Sequence, residues 1–334
     1  MDEKSFKKFS YTNISMFEIN IFFYLGLLVI SFIVLLKSSD YLVTCASILG
    51  DRAGISKFTI GLSIIAIGTS LPELMTAIFG IISSDNGTAF VLGTVIGSNI
   101  TNILLVFAAL IFFSNGFIFK KRIFNTIYLL LSTFLLLLFV ILNTINLFVG
   151  ILFLTIFASY LYYGLTKENP EEVLEEVHET ESVGLNKFST FFLSSILVLS
   201  IVFLNLGAKG VVAGIENIGS ILHIPIYFLT LTTVSFATSL PELAVTYHAA
   251  KKNEIELAIG NIFGSNISNI LLIVGVSSIL TTLKYDISEY LLGLSFLVIS
   301  TFLFISLQYI QKTKRIIGLG FFSLYLLYIF LLFF

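Results

Sequence analysis

Two short segments of this sequence place a proline and a glutamate inside long apolar runs. They are residues 68–74, GTSLPEL, and residues 237–243, ATSLPEL, so that Glu73 and Glu242 are equivalent. An ionisable residue within a bilayer costs about 2.5–3.5 kcal/mol even on insertion scales, and it is therefore a candidate functional residue. Because the same context occurs twice, the two glutamates are the first candidates for chemistry.

The residues around the glutamates are oxygen donors. Helical spacing puts each glutamate on one face with the Thr and Ser that precede it by four and three positions, and the next helix of each copy carries a Ser and an Asn four apart. These donors are Thr69, Ser70, Ser98 and Asn102 in the first copy and Thr238, Ser239, Ser265 and Asn269 in the second. In addition, Pro72 and Pro241 cannot bond the carbonyls of Gly68 and Ala237, and we expect a cation to bind these freed oxygens.

This donor set favours a hard cation. Calcium takes 6–8 oxygens at about 2.3–2.6 Å, whereas magnesium requires a stricter octahedron and loses its water reluctantly. The set contains no thiolate or imidazole, which argues against zinc and copper. Two glutamates carry a charge that one Ca²⁺ or two Na⁺ would balance, and that equivalence is a chemical basis for exchange.

The composition indicates a polytopic membrane protein. Of 334 residues, 57% are hydrophobic and only 11% are charged, against about 25% charged in soluble domains. The mean hydropathy is +1.02. The single cysteine, Cys45, excludes an internal disulfide within this sequence, and no basic cluster points to a nucleic-acid partner.

A spanning helix needs about 20 apolar residues, and on that basis the sequence predicts ten helices. They cover residues 18–49, 55–83, 88–113, 123–142, 146–165, 188–220, 225–250, 255–281, 286–307 and 315–334. We therefore expect an all-α protein with a first five-helix repeat at 1–165 (outward N-terminal segment 1–17), an acidic cytoplasmic linker at 166–187 and a second five-helix repeat at 188–334.

The repeats support a duplication. Residues 55–74 align with 224–243 at an offset of 169, and residues 93–105 (GTVIGSNITNILL) align with 260–272 (GNIFGSNISNILL) at an offset of 167. Because five helices is an odd number, the two copies enter the membrane from opposite sides. Such inverted repeats place transporter sites near the midplane, at the repeat interface.

Basic residues predict the orientation by the positive-inside rule. One side collects Arg52, Lys57, Lys120, Lys121, Arg122, Lys167, Lys187, Lys251, Lys252, Lys312, Lys314 and Arg315, and the other collects Lys4, Lys7, Lys8 and Lys284. The first side is expected to face the cytoplasm, so that both termini lie outside. We expect the cell membrane as the location and a monomer as the working unit.

The two motif blocks resemble the α-repeats of the sodium/calcium exchangers, within the cation/calcium exchanger superfamily. The resemblance implies a calcium site shared by Glu73 and Glu242 with backbone oxygens of Thr69 and Thr238. It also implies flanking sodium sites that use Ser70, Ser98, Ser239, Ser265 and the carbonyls of Ala66 and Ser235, with Asn102 beside the centre.

Three positions depart from the family pattern. Some microbial relatives carry an aspartate at Asn269, Ala237 replaces the usual glycine, and Ser235 replaces a small apolar residue. The stoichiometry and any proton-coupled mode therefore stay open.

The sequence thus predicts an antiporter that exchanges Ca²⁺ for Na⁺ by alternating access, with long first and sixth helices that slide across the core. It is not expected to be an enzyme or to need a cofactor, because no nucleophile–base pair or metal motif such as H-E-x-x-H is present. The alternatives left open are a Ca²⁺/H⁺ antiporter and a K⁺-dependent Na⁺/Ca²⁺ exchanger. A non-transporting membrane scaffold would have no use for a duplicated carboxylate.

Overall fold

The structure is a computed structural model that describes residues 3–83, 87–166, 185–221, 236, 238–310 and 312–332. Within those ranges the chain is helical and contains no β-strand. In chain order the helices are α1 (Glu3–Ala53), α2 (Lys57–Ile60), α3 (Ala66–Thr69), α4 (Leu71–Ser83), α5 (Gly87–Thr101), α6 (Phe107–Phe113), α7 (Ile123–Ile141), α8 (Leu147–Thr166), α9 (Thr190–Ile221), α10 (Leu240–Lys251), α11 (Ile255–Ser268), α12 (Val274–Leu280), α13 (Leu291–Ser306) and α14 (Arg315–Leu332).

Most of the predicted membrane helices agree closely with these bounds. Nine segments of the described chain are long and apolar enough to cross a membrane. Of the predicted helix at 225–250, α10 (Leu240–Lys251) is the described helix, and residues 225–235 and 237 lie outside the described residues. The prediction at 286–307 begins too early, because residues Ile287–Glu289 form a 3₁₀ turn in which Asp286 caps the amide of Ser288.

Three membrane helices contain a π-helical turn that the sequence analysis does not predict. The turns are Gly61–Ile65, Asn102–Val106 and Asn269–Ile273. The second and third begin at the equivalent asparagines of the two repeats. π-Turns widen the helix locally and are frequent at functional sites, so the two asparagines mark the same local distortion in both halves.

The two proline motifs bend the backbone in the same way. Ser70 separates α3 from α4 with φ −81° and ψ 4°, and Ser239 precedes α10 with φ −88° and ψ 5°. The interruptions are small, because the hydrogen bonds of the helix continue across them. Leu74 N–H donates to Ser70 O at 3.1 Å, and Leu243 N–H donates to Ser239 O at 3.0 Å. Each glutamate therefore lies in the first turn of a new helix segment.

Glycines allow the second membrane helix to cross α11 at very short range. A Cβ on Gly260 would lie 2.2 Å from Phe58 O, and one on Gly61 would lie 2.2 Å from Leu257 O. Gly264 is equally close to Leu62 O, at 2.3 Å. This close packing brings the first repeat against the second near the motifs.

The long helices α1 and α9 pack along each other at the periphery. Gly207 of α9 approaches the backbone of Leu35 in α1, where a Cβ would lie 2.7 Å from the Leu35 nitrogen. Many of their apolar side chains are exposed, as expected for helices that face lipid. In contrast, residues 91–113 and 255–280 are almost wholly buried.

Charged residues join the two halves at one end of the bundle. Glu254 is buried and accepts hydrogen bonds from Lys57 Nζ and Ser47 Oγ, each at 2.8 Å. Nearby, Lys252 pairs with Asp40 of α1 at 2.5 Å. This end is the one to which the positive-inside rule assigns the cytoplasm.

We predict that Gly260→Ala destabilises the protein, because its new methyl group would overlap Phe58 O and force the helices apart. Overpacking of this kind typically costs about 1–3 kcal/mol. Thermal unfolding of the purified protein in detergent is the measurement. Gly320→Ala is the matched control, since nothing lies within 4 Å of a Cβ there, and equal midpoints for the two variants would contradict the close crossing.

Candidate cation-binding site

The two glutamates of the repeated motif lie together in the interior. Glu73 and Glu242 are both fully buried, and their carboxylates are close enough to repel each other. Each occupies the first turn of its helix, α4 or α10. The unbonded N–H groups and the positive end of a helix dipole favour negative charge in that position.

Neither carboxylate has a protein partner of normal hydrogen-bond geometry. All four oxygens are buried and without a hydrogen bond among the described residues. The hydroxyl groups of Thr238 and Ser98 lie near the Glu73 carboxylate. Buried carboxylates require compensation, since an isolated ionised one is very costly in a low-dielectric interior.

The arrangement around the second glutamate mirrors the first. Thr69 and Ser265 face Glu242, so each carboxylate meets a serine of its own repeat and a threonine of the other. Ser98 and Thr238 share a hydrogen bond of 3.0 Å, and Thr69 and Ser265 are 3.3 Å apart. The site is therefore assembled across the repeat interface.

The two asparagines that begin the π-turns complete the symmetry. Asn102 and Asn269 are fully buried, and neither amide has a hydrogen-bond partner in the described part of the chain. The turn that starts at Asn269 packs against α4, and the turn that starts at Asn102 packs against α10. Each amide is thus carried beside the helix that bears the glutamate of the other repeat.

The remaining predicted donors occupy the surrounding shell. Ser70 Oγ lies 3.3 Å from Ser268 Oγ, and the Ala66 carbonyl accepts from Ser70 N–H at 3.0 Å. Ser239 is buried, with no partner for its hydroxyl among the residues described. Ser235 lies outside the described residues, as does Ala237.

The carbonyl of Gly68 that Pro72 frees already has one hydrogen-bond donor, which the sequence does not predict. Asn205 of α9 donates its amide to Gly68 O at 3.2 Å and to Ile201 O at 2.7 Å. Sequence analysis missed this residue, although an asparagine within an apolar helix is itself a signal of function. The residue equivalent to Asn205 in α1, at the offset of 169, is Leu36.

Two further polar residues of α11 were missed. Asn261 Oδ1 lies 3.3 Å from Thr69 Oγ1, and Ser268 contacts Ser70. The sequence signal for both is their position one turn from Ser265, on the face that the motif already marks. Their partners belong to the other repeat, so the contacts depend on the helix crossing.

Comparisons with known proteins agree with this fold. The family model described as sodium/calcium exchanger protein matches residues 23–166 and 192–334. An uncharacterized membrane protein of Methanocaldococcus jannaschii is 30% identical over 303 residues, which are 90% of this chain and 95% of that protein. The sodium/calcium exchanger MaX1 of Methanosarcina acetivorans is 29% identical, over 92% of this chain and 98% of its own length.

The chain also resembles solved structures of a sodium-calcium exchanger. The sodium-calcium exchanger NCX_Mj soaked with Na⁺ and Sr²⁺ superposes with a TM-score of 0.76 at 28% identity, over 92% of this chain and 98% of that one. The same exchanger soaked with neither Na⁺ nor Ca²⁺ gives a TM-score of 0.73 at 26% identity. The predicted all-α, ten-helix architecture of two inverted repeats is confirmed by this likeness.

We predict that Asn205→Leu destabilises the protein, because it leaves the buried Gly68 carbonyl without a donor. Such an unsatisfied group costs about 1–3 kcal/mol. Thermal unfolding in detergent, compared with Asn217→Leu, is the measurement. Asn217 lies on the same helix and donates only to Ala213 O of that helix among the described contacts, so a loss of stability as large in this control would contradict the role of Asn205.

Proposed function

The chain belongs to the sodium/calcium exchanger family of transporters, and from that premise we propose that it exchanges Ca²⁺ for Na⁺ by alternating access at a site built on Glu73 and Glu242. The transported ions of the family are Na⁺ and Ca²⁺, and the chain is a transporter rather than an enzyme. The alternating access and the residues of the site are our proposal.

One observation carries this proposal: two carboxylates from opposite repeats are fully buried, and none of their four oxygens has a hydrogen-bond partner among the described residues. Charge of that kind is stable in a low-dielectric interior only when it is paired or bound to metal. Two carboxylates match one Ca²⁺ or two Na⁺, so that the two substrates compete for the same charge. Competition of this sort couples their movements.

We assign the donors by their place in the site. The central Ca²⁺ site consists of Glu73 and Glu242 with backbone oxygens of Thr69 and Thr238, and Asn102 and Asn269 lie beside it. One flanking Na⁺ site uses Ser70, Ser265 and the Ala66 carbonyl, and the other uses Ser98, Ser239 and the Ser235 carbonyl. The crosswise contacts between Thr69 and Ser265 and between Ser98 and Thr238 support this division.

The neutral residue Asn269 has a consequence for charge. With asparagine at both π-turns, Glu73 and Glu242 are the acidic groups of the proposed donor set. Proton coupling would have to use one of these two glutamates and would therefore compete directly with Ca²⁺. For this reason we favour Na⁺ exchange over the Ca²⁺/H⁺ alternative.

Orientation, location and subunit number are also proposed. We place both termini outside the cell membrane and the linker 166–187 in the cytoplasm, with repeats at 1–165 and 188–334. The basic residues that gather at the Glu254 end of the bundle support this orientation through the positive-inside rule. Because the site is assembled from both repeats of one chain, we propose that a monomer is the working unit.

We predict that proteoliposomes take up Ca²⁺ only when the Na⁺ concentration inside them is higher than the concentration outside. Glu73→Gln or Glu242→Gln should abolish that uptake, because each removes half of the charge that binds Ca²⁺. Radioactive calcium uptake with current recording is the measurement, and Glu289→Gln, at an exposed residue outside the site, is the matched control.

Applying Na⁺, K⁺ and pH gradients in turn separates the alternatives. Uptake that follows a pH gradient alone would favour a Ca²⁺/H⁺ antiporter, and a requirement for K⁺ would favour a K⁺-dependent exchanger. Wild-type uptake by either glutamate variant would refute the proposed site.

We further predict that a crosslink between α1 and α2 stops transport, because alternating access requires α1 to slide against the core. Gly50→Cys with Ile60→Cys, in a Cys45→Ser background, is suited to this test. A Cβ on Gly50 would lie 2.2 Å from Ile60 Cδ1 and 3.5 Å from Ile60 Cγ1, so side chains at these two positions touch directly, as the two cysteines of a disulfide must. Oxidation should eliminate calcium flux and reduction should restore it, whereas full flux in the oxidised protein would rule out sliding.

A further inference from the structure

Four oxygens cluster on one flank of Glu242. Thr69 Oγ1 lies 3.3 Å from each of three others: the Ala66 carbonyl, Asn261 Oδ1 and Ser265 Oγ. Asn261 Oδ1 is in turn 3.5 Å from Ser265 Oγ. The Thr69 and Ser265 hydroxyls also face the Glu242 carboxylate.

These contacts are poor hydrogen bonds. A hydroxyl-to-oxygen hydrogen bond is normally about 2.7–2.8 Å long, and the single Thr69 hydroxyl proton can be donated to only one of its three neighbours. By contrast, oxygens bound at right angles to one cation at about 2.4 Å lie about 3.4 Å apart. The spacing of the cluster therefore matches that of ligands around a metal ion.

Asn261 is held in this cluster by the close helix crossing. It is fully buried, and its Nδ2 has no hydrogen-bond partner among the described residues. A Cβ on Gly61 would lie 2.9 Å from the Asn261 backbone nitrogen, so only a glycine there lets α11 come near enough. The amide oxygen is thus brought to the ion site by backbone packing.

The other repeat cannot provide the same ligand. At the offset of 167 the residue equivalent to Asn261 is Thr94, whose shorter side chain ends in one hydroxyl and one methyl group. The two flanking sites that the repeats generate are therefore chemically unequal. The flank of Glu242 has an additional amide oxygen.

We infer that Asn261 Oδ1 is a direct ligand of the sodium ion that binds beside Glu242, together with Ser265 Oγ, Thr69 Oγ1 and the Ala66 carbonyl. This inference rests on the proposed function and adds Asn261 Oδ1 and Thr69 Oγ1 to the flanking site of Ser70, Ser265 and the Ala66 carbonyl, with Glu242 as its carboxylate. The set contains one carboxylate and otherwise neutral oxygens, and its single negative charge suits a monovalent cation. It follows that the flank at Asn261 binds Na⁺ more tightly than the flank at Thr94.

The test compares Asn261→Leu, a nearly isosteric side chain without polar atoms, with Thr94→Val at the equivalent position. Purified variants are reconstituted into proteoliposomes loaded with radioactive calcium, and calcium release is measured as a function of external Na⁺. Calcium self-exchange without Na⁺ is measured in the same vesicles. This second readout reports folding and the central Ca²⁺ site separately from Na⁺ binding.

We expect Asn261→Leu to raise the half-saturating Na⁺ concentration on the order of tenfold, the lower end of what losing support at a metal site costs. Calcium self-exchange should persist, and Thr94→Val should keep the wild-type Na⁺ dependence. Asn261→Asp keeps the oxygen and adds a negative charge beside the bound ion, so it should require less Na⁺ than both Asn261→Leu and the wild type. Should Asn261→Leu fail to fold, an Asn261→Asp variant with the wild-type Na⁺ dependence overturns the inference by itself.

An unchanged Na⁺ dependence in Asn261→Leu, with self-exchange intact, would remove Asn261 from the site and leave the proposed function standing. An equal loss in Thr94→Val would show that the flanks are equivalent and would also overturn the inference. Failure of the wild-type protein to release calcium in response to Na⁺ would instead refute the proposed function.

Discussion

The constraint on which this protein depends is the burial of two carboxylates whose oxygens have no hydrogen-bond partner in the described part of the chain. Moving one carboxylate into a low-dielectric medium costs several kcal/mol even after relaxation, and Glu73 and Glu242 also repel each other. Their positions in the first turns of α4 and α10 offset part of this cost through the helix dipoles. In the proposed function, the remainder gives cations their driving force for binding, and either of the two kinds of ion can supply the missing positive charge.

The inverted duplication explains why neither half is complete alone. Each glutamate is faced by a serine of its own repeat and a threonine of the other, as Ser98 and Thr238 illustrate with their 3.0 Å contact. Glycines lie where the second membrane helix (Lys57–Ile82) crosses α11. They let the two backbones approach closely, as small residues commonly do between membrane helices. Polar groups from opposite halves thereby come close to one another where the helices cross.

The two halves nevertheless differ where single residues have changed. Asn205 binds the Gly68 carbonyl from α9, whereas its equivalent in α1 is Leu36. Asn261 reaches Thr69, whereas its equivalent is Thr94. Both asparagines contact residues of α3. The two repeats therefore contribute equivalent carboxylates but different neutral polar groups. Such asymmetry lets the two faces of an inverted repeat bind ions with unequal strength.

The sequence by itself determined the membrane class, most helix bounds and the central glutamates, because hydropathy and a repeated motif are local properties of the chain. It also predicted the donors Thr69, Ser265 and their equivalents. Helical spacing places Thr69 on the same face as Glu73, and Ser265 on the same face of its own helix as Asn269. The π-turns and the partners of Asn205 and Asn261 were decided only by tertiary structure. Those contacts join residues 137 and 192 positions apart, and they depend on how helices cross and rotate, which no local pattern in the chain specifies.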